Sequence, residues 1–160
     1  MNNWSDQSTL PESAAPVIEA YVNGSCLRNG SKDAVAGLGC VIKTHGEHDS
    51  LEVGAKKDFE IRATSTLADY SAVVQALSII ERQHSTNVRV HVYTNLEVIV
   101  GQLQGSCAVR TNHLKNIHAE TKGFFNEFHE WRITHLSKSD SSHMRRADEI
   151  ARTRARGVKR

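Results

Sequence analysis

The densest grouping of chemically capable side chains lies toward the C-terminal end. There Arg145, Arg146, Arg152, Arg154, Arg156, Lys159 and Arg160 outnumber Asp148 and Glu149. Such a segment is an electrostatic footprint for a polyanion, and Arg145, Arg152 and Arg156 recur near one helical face. It reads equally as a solvated helix face with a frayed tail, and charge alone does not separate the two. Asp148 stands four residues before Arg152, the spacing of a helical ion pair. Asp69 falls early in a helical pattern, where the dipole favours a carboxylate. Asn23, at a strand end, can satisfy turn backbone groups. The three cysteines, Cys26, Cys40 and Cys107, are far apart and form no CxxC pair. That spacing argues against a structural zinc site or a disulfide framework, and leaves buried or half-buried thiols in a reducing compartment. Among the nine histidines, His91, His118 and His129 read as packing or surface residues rather than metal ligands.

The elements that must position these residues follow from periodicity. Ile18, Ala20 and Val22 alternate with Glu19, Tyr21 and Asn23, the period of a strand. Gly24 to Asp33 is rich in turn formers. Residues 34–44 and 51–59 give two more strands joined by a polar turn, so the first three strands form an antiparallel meander. Thr64, Ser65 and Thr66 offer helix-capping chemistry. The apolar stripe Tyr70, Val73, Val74, Leu77 and Ile80 then follows at helical spacing. Val88, Val90 and Val92 mark a fourth strand, residues 96–103 a short helix, and 114–128 a longer one whose Phe124, Phe125 and Phe128 face the core. Trp131, Ile133 and His135 mark a fifth strand, and Ala147, Ile150, Ala151 and Ala155 the inner face of a last helix. The order βββαβααβα places the later strands parallel to the sheet through right-handed crossovers.

A chain of 160 residues with 39% hydrophobic and 24% charged content suits one soluble globular domain with a single core. Residues 1–16 read as a flexible leader, 17–156 as the domain and 157–160 as a basic tail. The leader lacks the basic and apolar regions of a signal peptide, and no apolar run is long enough to span a bilayer. An intracellular protein, cytoplasmic or nuclear, is the expectation.

The run Tyr21-Val22-Asn23-Gly24-Ser25-Cys26-Leu27-Arg28-Asn29-Gly30 closely resembles the first strand and turn of type 1 ribonuclease H, with Asn23 in the place of an Asp. Three further segments follow in the family's order. Thr64 to Tyr70 resembles the start of its first helix, with Asp69 for the usual Glu. Tyr93-Thr94-Asn95 resembles the end of its fourth strand, with Asn95 for an Asp. Ala147 to Ala151 resembles its closing helix, with Asp148 at the last catalytic carboxylate. The resemblance implies an α/β ribonuclease H-like fold, a five-stranded mixed sheet of three antiparallel strands with parallel additions, flanked by helices.

It also implies a catalytic site at Asn23, Asp69, Asn95 and Asp148, where the family uses four carboxylates to clamp two Mg²⁺ (or Mn²⁺) ions. Hard divalent cations prefer charged oxygens, and only Asp69 and Asp148 supply them here, so any metal would be weakly held. Losing two charges from a clamp worth several kcal/mol implies a rate loss of orders of magnitude, at about 1.4 kcal/mol per tenfold. The surroundings differ too. The family's loop His falls near Lys138, Met144 replaces a common Asn, Ser65 and Thr66 replace paired groove-reading Asn residues, and Leu96 and Glu97 replace polar residues that face nucleic acid. Asn29 and Thr64 match and would line a phosphate pocket, with Arg145, Arg152 and Arg156 as further nucleic-acid contacts. Asp→Asn is also a change that an experimenter makes to trap a substrate. Natural decay accounts for Asp69, Leu96, Met144 and the missing His as well. The leading expectation is an inactive or strongly impaired relative that binds nucleic acid (RNA/DNA hybrid or double-stranded RNA) or a protein partner. The alternatives are a Mg²⁺- or Mn²⁺-dependent hybrid nuclease using Asp69 and Asp148, aided by Asp140, and a protein-interaction module.

Overall fold

The computed structural model of the chain describes residues 15–59 and 63–157. The strands are β1 (Val17–Leu27), β2 (Val35–Thr44), β3 (Leu51–Lys57), β4 (Arg89–Thr94) and β5 (Glu130–His135). The helices are α1 (Ser65–His84), α2 (Glu97–Gln104), α3 (Asn112–Phe125) and α4 (Ser142–Arg156). They build one sheet of order β3-β2-β1-β4-β5, in which β1–β2 and β2–β3 are antiparallel and β1–β4 and β4–β5 parallel. This is the meander with parallel additions that the pattern predicts.

β1 is enclosed and is longer than expected. Both faces are covered: Glu19 and Asn23 are buried along with Ile18, Ala20 and Val22. As the central strand it carries α1 on one face and α4 on the other. It also runs on through Gly24–Leu27, pairing with residues 35–38 of β2, so the turn begins only at Arg28. Ladder hydrogen bonds to β2 outweigh the turn propensity of Gly24 and Ser25. β3 likewise stops at Lys57, and α3 stops at Phe125, short of the expected 59 and 128.

Two close approaches fix the layers. A Cβ at Gly37 or Gly39 of β2 would collide with the α4 backbone at Ala151 or Ala147, so these glycines let the last helix lie directly on the sheet. On the opposite face Tyr70, Val73, Leu77 and Ile80 of α1 are fully buried, Val74 less so, and Phe125 and Phe128 complete the core as expected. Arg89 donates to the Ala15 carbonyl at 2.9 and 2.7 Å, tying the chain ahead of β1 to β4. Most of the expected leader (residues 1–14) and of the tail (158–160) lies outside the described residues. Cys40 is buried and Cys26 half-buried, but Cys107 is exposed, in the loop after α2, which corrects the expectation of burial for all three. No helix among the described residues is long and apolar enough to cross a membrane.

Candidate functional site

Asn23 sits on β1 and Asp148 on the second turn of α4, and the contact of that helix with the sheet joins them: Asn23 Nδ2 donates to Asp148 Oδ1 at 3.2 Å. Asp69 arrives from the other face. Thr64 caps α1 by accepting from the Leu67 amide, and a side chain at Gly24 would run into the Ala68 backbone. This closeness lets the Gly24 amide donate to Asp69 Oδ1 at 2.8 Å. Asn95 follows the last residue of β4. Thr94 pairs with Val22, so Asn95 continues the register to the level of Asn23. The four expected positions therefore converge at one end of the two central strands.

Their electrostatics differ from those of an open acidic clamp. Asp148 Oδ2 receives two cations, Arg152 Nε at 3.0 Å and Lys138 Nζ at 3.5 Å. With the Asn23 amide on Oδ1, both of its oxygens are engaged. Asp69 is 5% exposed. Its carboxyl is pushed up from 3.8 to about 7, chiefly because burial penalises the charged form; the Asp148 charge adds to this, and the Gly24 amide and Lys138 oppose it. Lys138 belongs to a single 3-10 turn (Lys138–Asp140) before α4. Its place falls near the loop His position of the resemblance, but its bond to Asp148 is a through-space contact that spacing does not reveal.

The donor set does not fit a pair of divalent cations. Two of the four positions supply neutral amides, one carboxylate is buried with its charged form disfavoured, and the other already holds two cationic side chains. Among the described residues, no three His, Cys, Asp or Glu side chains are grouped to share a metal ion.

Around this centre, Asn29 donates to Ser65 Oγ at 2.9 Å and accepts from the Ser65 amide at 3.3 Å, latching the β1–β2 turn to the α1 N-terminus beside Thr64. Arg145 donates to the Lys138 carbonyl at 3.0 Å, and Arg156 is exposed on the same helix. Met144 is fully buried, Leu96 packs partly against the core, and Glu97 opens α2 in solvent. Next to the site Tyr21 stacks on Tyr93 with centroids 4.8 Å apart, and His143 of α4 lies 4.8 Å from Tyr21. His91 is buried and His118 half-buried. His91 Nε2 lies 2.7 Å from Thr134 Oγ1, and His118 Nε2 donates to the Gln102 carbonyl at 2.9 Å.

The family model described as reverse transcriptase-like matches residues 22–153, most of the chain and all four positions. The chain belongs to this ribonuclease H-like family. No curated protein matches it. Among solved structures it resembles the type 1 ribonuclease H of the halophilic archaeon Halobacterium salinarum at 21% identity and TM-score 0.77, covering 89% of this chain and 99% of that one. A type 1 ribonuclease H isolated from compost by a metagenomic approach, solved in complex with an RNA/DNA hybrid, matches at 26% identity and TM-score 0.74, covering 88% and 97%. The N-terminal ribonuclease H domain of a Mycobacterium tuberculosis protein matches at 18% identity and TM-score 0.77, covering 89% and 96%.

Proposed function

We propose that this ribonuclease H-like domain binds nucleic acid, with RNA/DNA hybrid its first candidate ligand, and that it cleaves phosphodiester bonds poorly or not at all. The observation that carries the reading is Asp148. Both oxygens of the most solvent-accessible carboxylate of the centre are engaged, by Lys138, Arg152 and the Asn23 amide, so a metal ion would have to compete with two cations for it. Asp69, with its charged form disfavoured, does not compensate. The likeness to a relative solved with an RNA/DNA hybrid supports the choice of ligand, as does the exposed arginine face of α4 at Arg145, Arg152 and Arg156.

The test is Mg²⁺- and Mn²⁺-dependent cleavage of a labelled RNA/DNA hybrid by this chain and by its Asn23→Asp/Asn95→Asp variant, beside hybrid binding at low salt. The expected result is binding that weakens steeply with salt and no cleavage by the unaltered chain. Cleavage by the unaltered chain that is lost in Asp148→Ala would make it a nuclease. Cleavage by the double variant alone would mean that the two amides are the whole defect.

A further inference from the structure

The charges around Asp148 cancel the negative polarity expected of this place. Four acidic positions would carry −4. Here Asp69 and Asp148 bring −2 in full ionisation, while Lys138 and Arg152 on Asp148 and Arg145 on the Lys138 carbonyl bring +3. The sum is +1, or zero when Asp140, exposed in the same turn, is added. Glu149 adds nothing free, being held by Arg146 at 2.6 Å. Arg145, Arg146, Arg152 and Ser142 line a surface hollow of about 530 Å³ that includes Asp148 and Glu149, large enough for a phosphate with its adjoining sugar. Lys138 and Arg152 keep donor hydrogens beyond the single bond each gives to Asp148, and both side chains are partly open to solvent. Arg145 is anchored by the Lys138 carbonyl of the preceding turn and is exposed. A carboxylate that holds a lysine and an arginine in place presents an anion site, in the way a ligating carboxylate presents a cation.

Resting on the nucleic-acid reading above, we propose that Lys138, Arg145 and Arg152 form an anion site that receives a backbone phosphodiester directly, with no divalent cation between them. Asp148 acts as the positioning residue that orients two of the three cations. Binding at this place is then independent of Mg²⁺, because the counter-charge to the phosphate is built into the chain.

The test is fluorescence anisotropy of a labelled RNA/DNA hybrid with the full chain, titrated in excess EDTA and in millimolar Mg²⁺ across a salt series. The expected affinities in the two buffers agree within about twofold once ionic strength is matched. Lys138→Gln/Arg152→Gln should bind roughly tenfold more weakly and lower the slope of log affinity against log salt by one to two, at about 0.9 per phosphate contact. Lys138→Arg/Arg152→Lys keeps both charges and should bind near the unaltered level, which separates lost charge from lost folding. Asn23→Asp/Asn95→Asp should weaken binding in EDTA and make it respond to Mg²⁺. Affinity that appears only with Mg²⁺, or an unchanged salt slope in the Gln variant, would overturn the anion site while leaving the nucleic-acid reading standing. No hybrid binding in either buffer would overturn both.

Discussion

Asp69 is the residue whose chemistry the fold alters most. Free in solution its carboxyl would ionise near 3.8; folded, it does so at about 7. The sign follows from linkage. Between those values the unfolded chain has released the proton and the folded chain still holds it, so this residue's contribution is greatest below pH 3.8 and is lost as pH rises to about 7. The full penalty is on the order of 4 kcal/mol, at 1.36 kcal/mol per unit. Asp69→Asn can still accept from the Gly24 amide without ionising. The variant should therefore match the parent below pH 4 and exceed it by a few kcal/mol above pH 7 in urea denaturation. A constant difference across that range would mean that the carboxyl is ionised in the folded state throughout.

At the scale of elements, the site depends on how closely two helices approach the sheet. Gly39→Ala would place a methyl group in the Ala147 carbonyl and lift α4, and with it Asp148, from β2. The expected cost is about 3 kcal/mol or more, seen as a lower urea midpoint. Gly123 is the contrasting case. It is exposed on α3, and a Cβ there meets nothing within 4 Å. Gly123→Ala should stabilise by roughly 0.5–1 kcal/mol through helix propensity alone. If the two substitutions shift the midpoint alike, close packing of α4 does not control the site. The core beneath α1 has no such tolerance. Ile80→Ala removes a fully buried side chain and should cost about 2–5 kcal/mol.

Over the whole molecule, two buried titrating groups oppose one another. His91 is pushed down to about 4 by burial and by Arg132. Its contribution is present above the unfolded value near 6.5 and is lost as pH falls through about 4. Asp69 changes in the reverse direction over nearly the same interval. The parent protein should accordingly show a shallow stability profile between pH 4 and 6.5. In Asp69→Asn the same profile should rise with pH, because the histidine then acts unopposed. A profile that stays flat in the variant would remove His91 from the account. The whole-molecule charge of +2 says little about binding; its distribution says more, since α4 carries arginines to the one place where the fold would otherwise gather acids.

Periodicity by itself determined the element order, the antiparallel meander and the parallel additions, because apolar alternation and helical stripes are local consequences of burying one face. Residue type by itself determined that only Asp69 and Asp148, of the four matching positions, supply carboxylates. Local pattern overstated the turn after Asn23, since ladder pairing with β2 is not encoded within a few residues. Only the tertiary structure decided what those carboxylates do. Lys138 reaches Asp148 from ten positions away because a 3-10 turn folds back over α4. Asp69 is raised toward neutrality because Gly24 admits α1 against β1. Charge depends on solvent and on neighbours through space, and packing sets both, which is why residues that read as half of a metal clamp come together as an internally neutralised cluster.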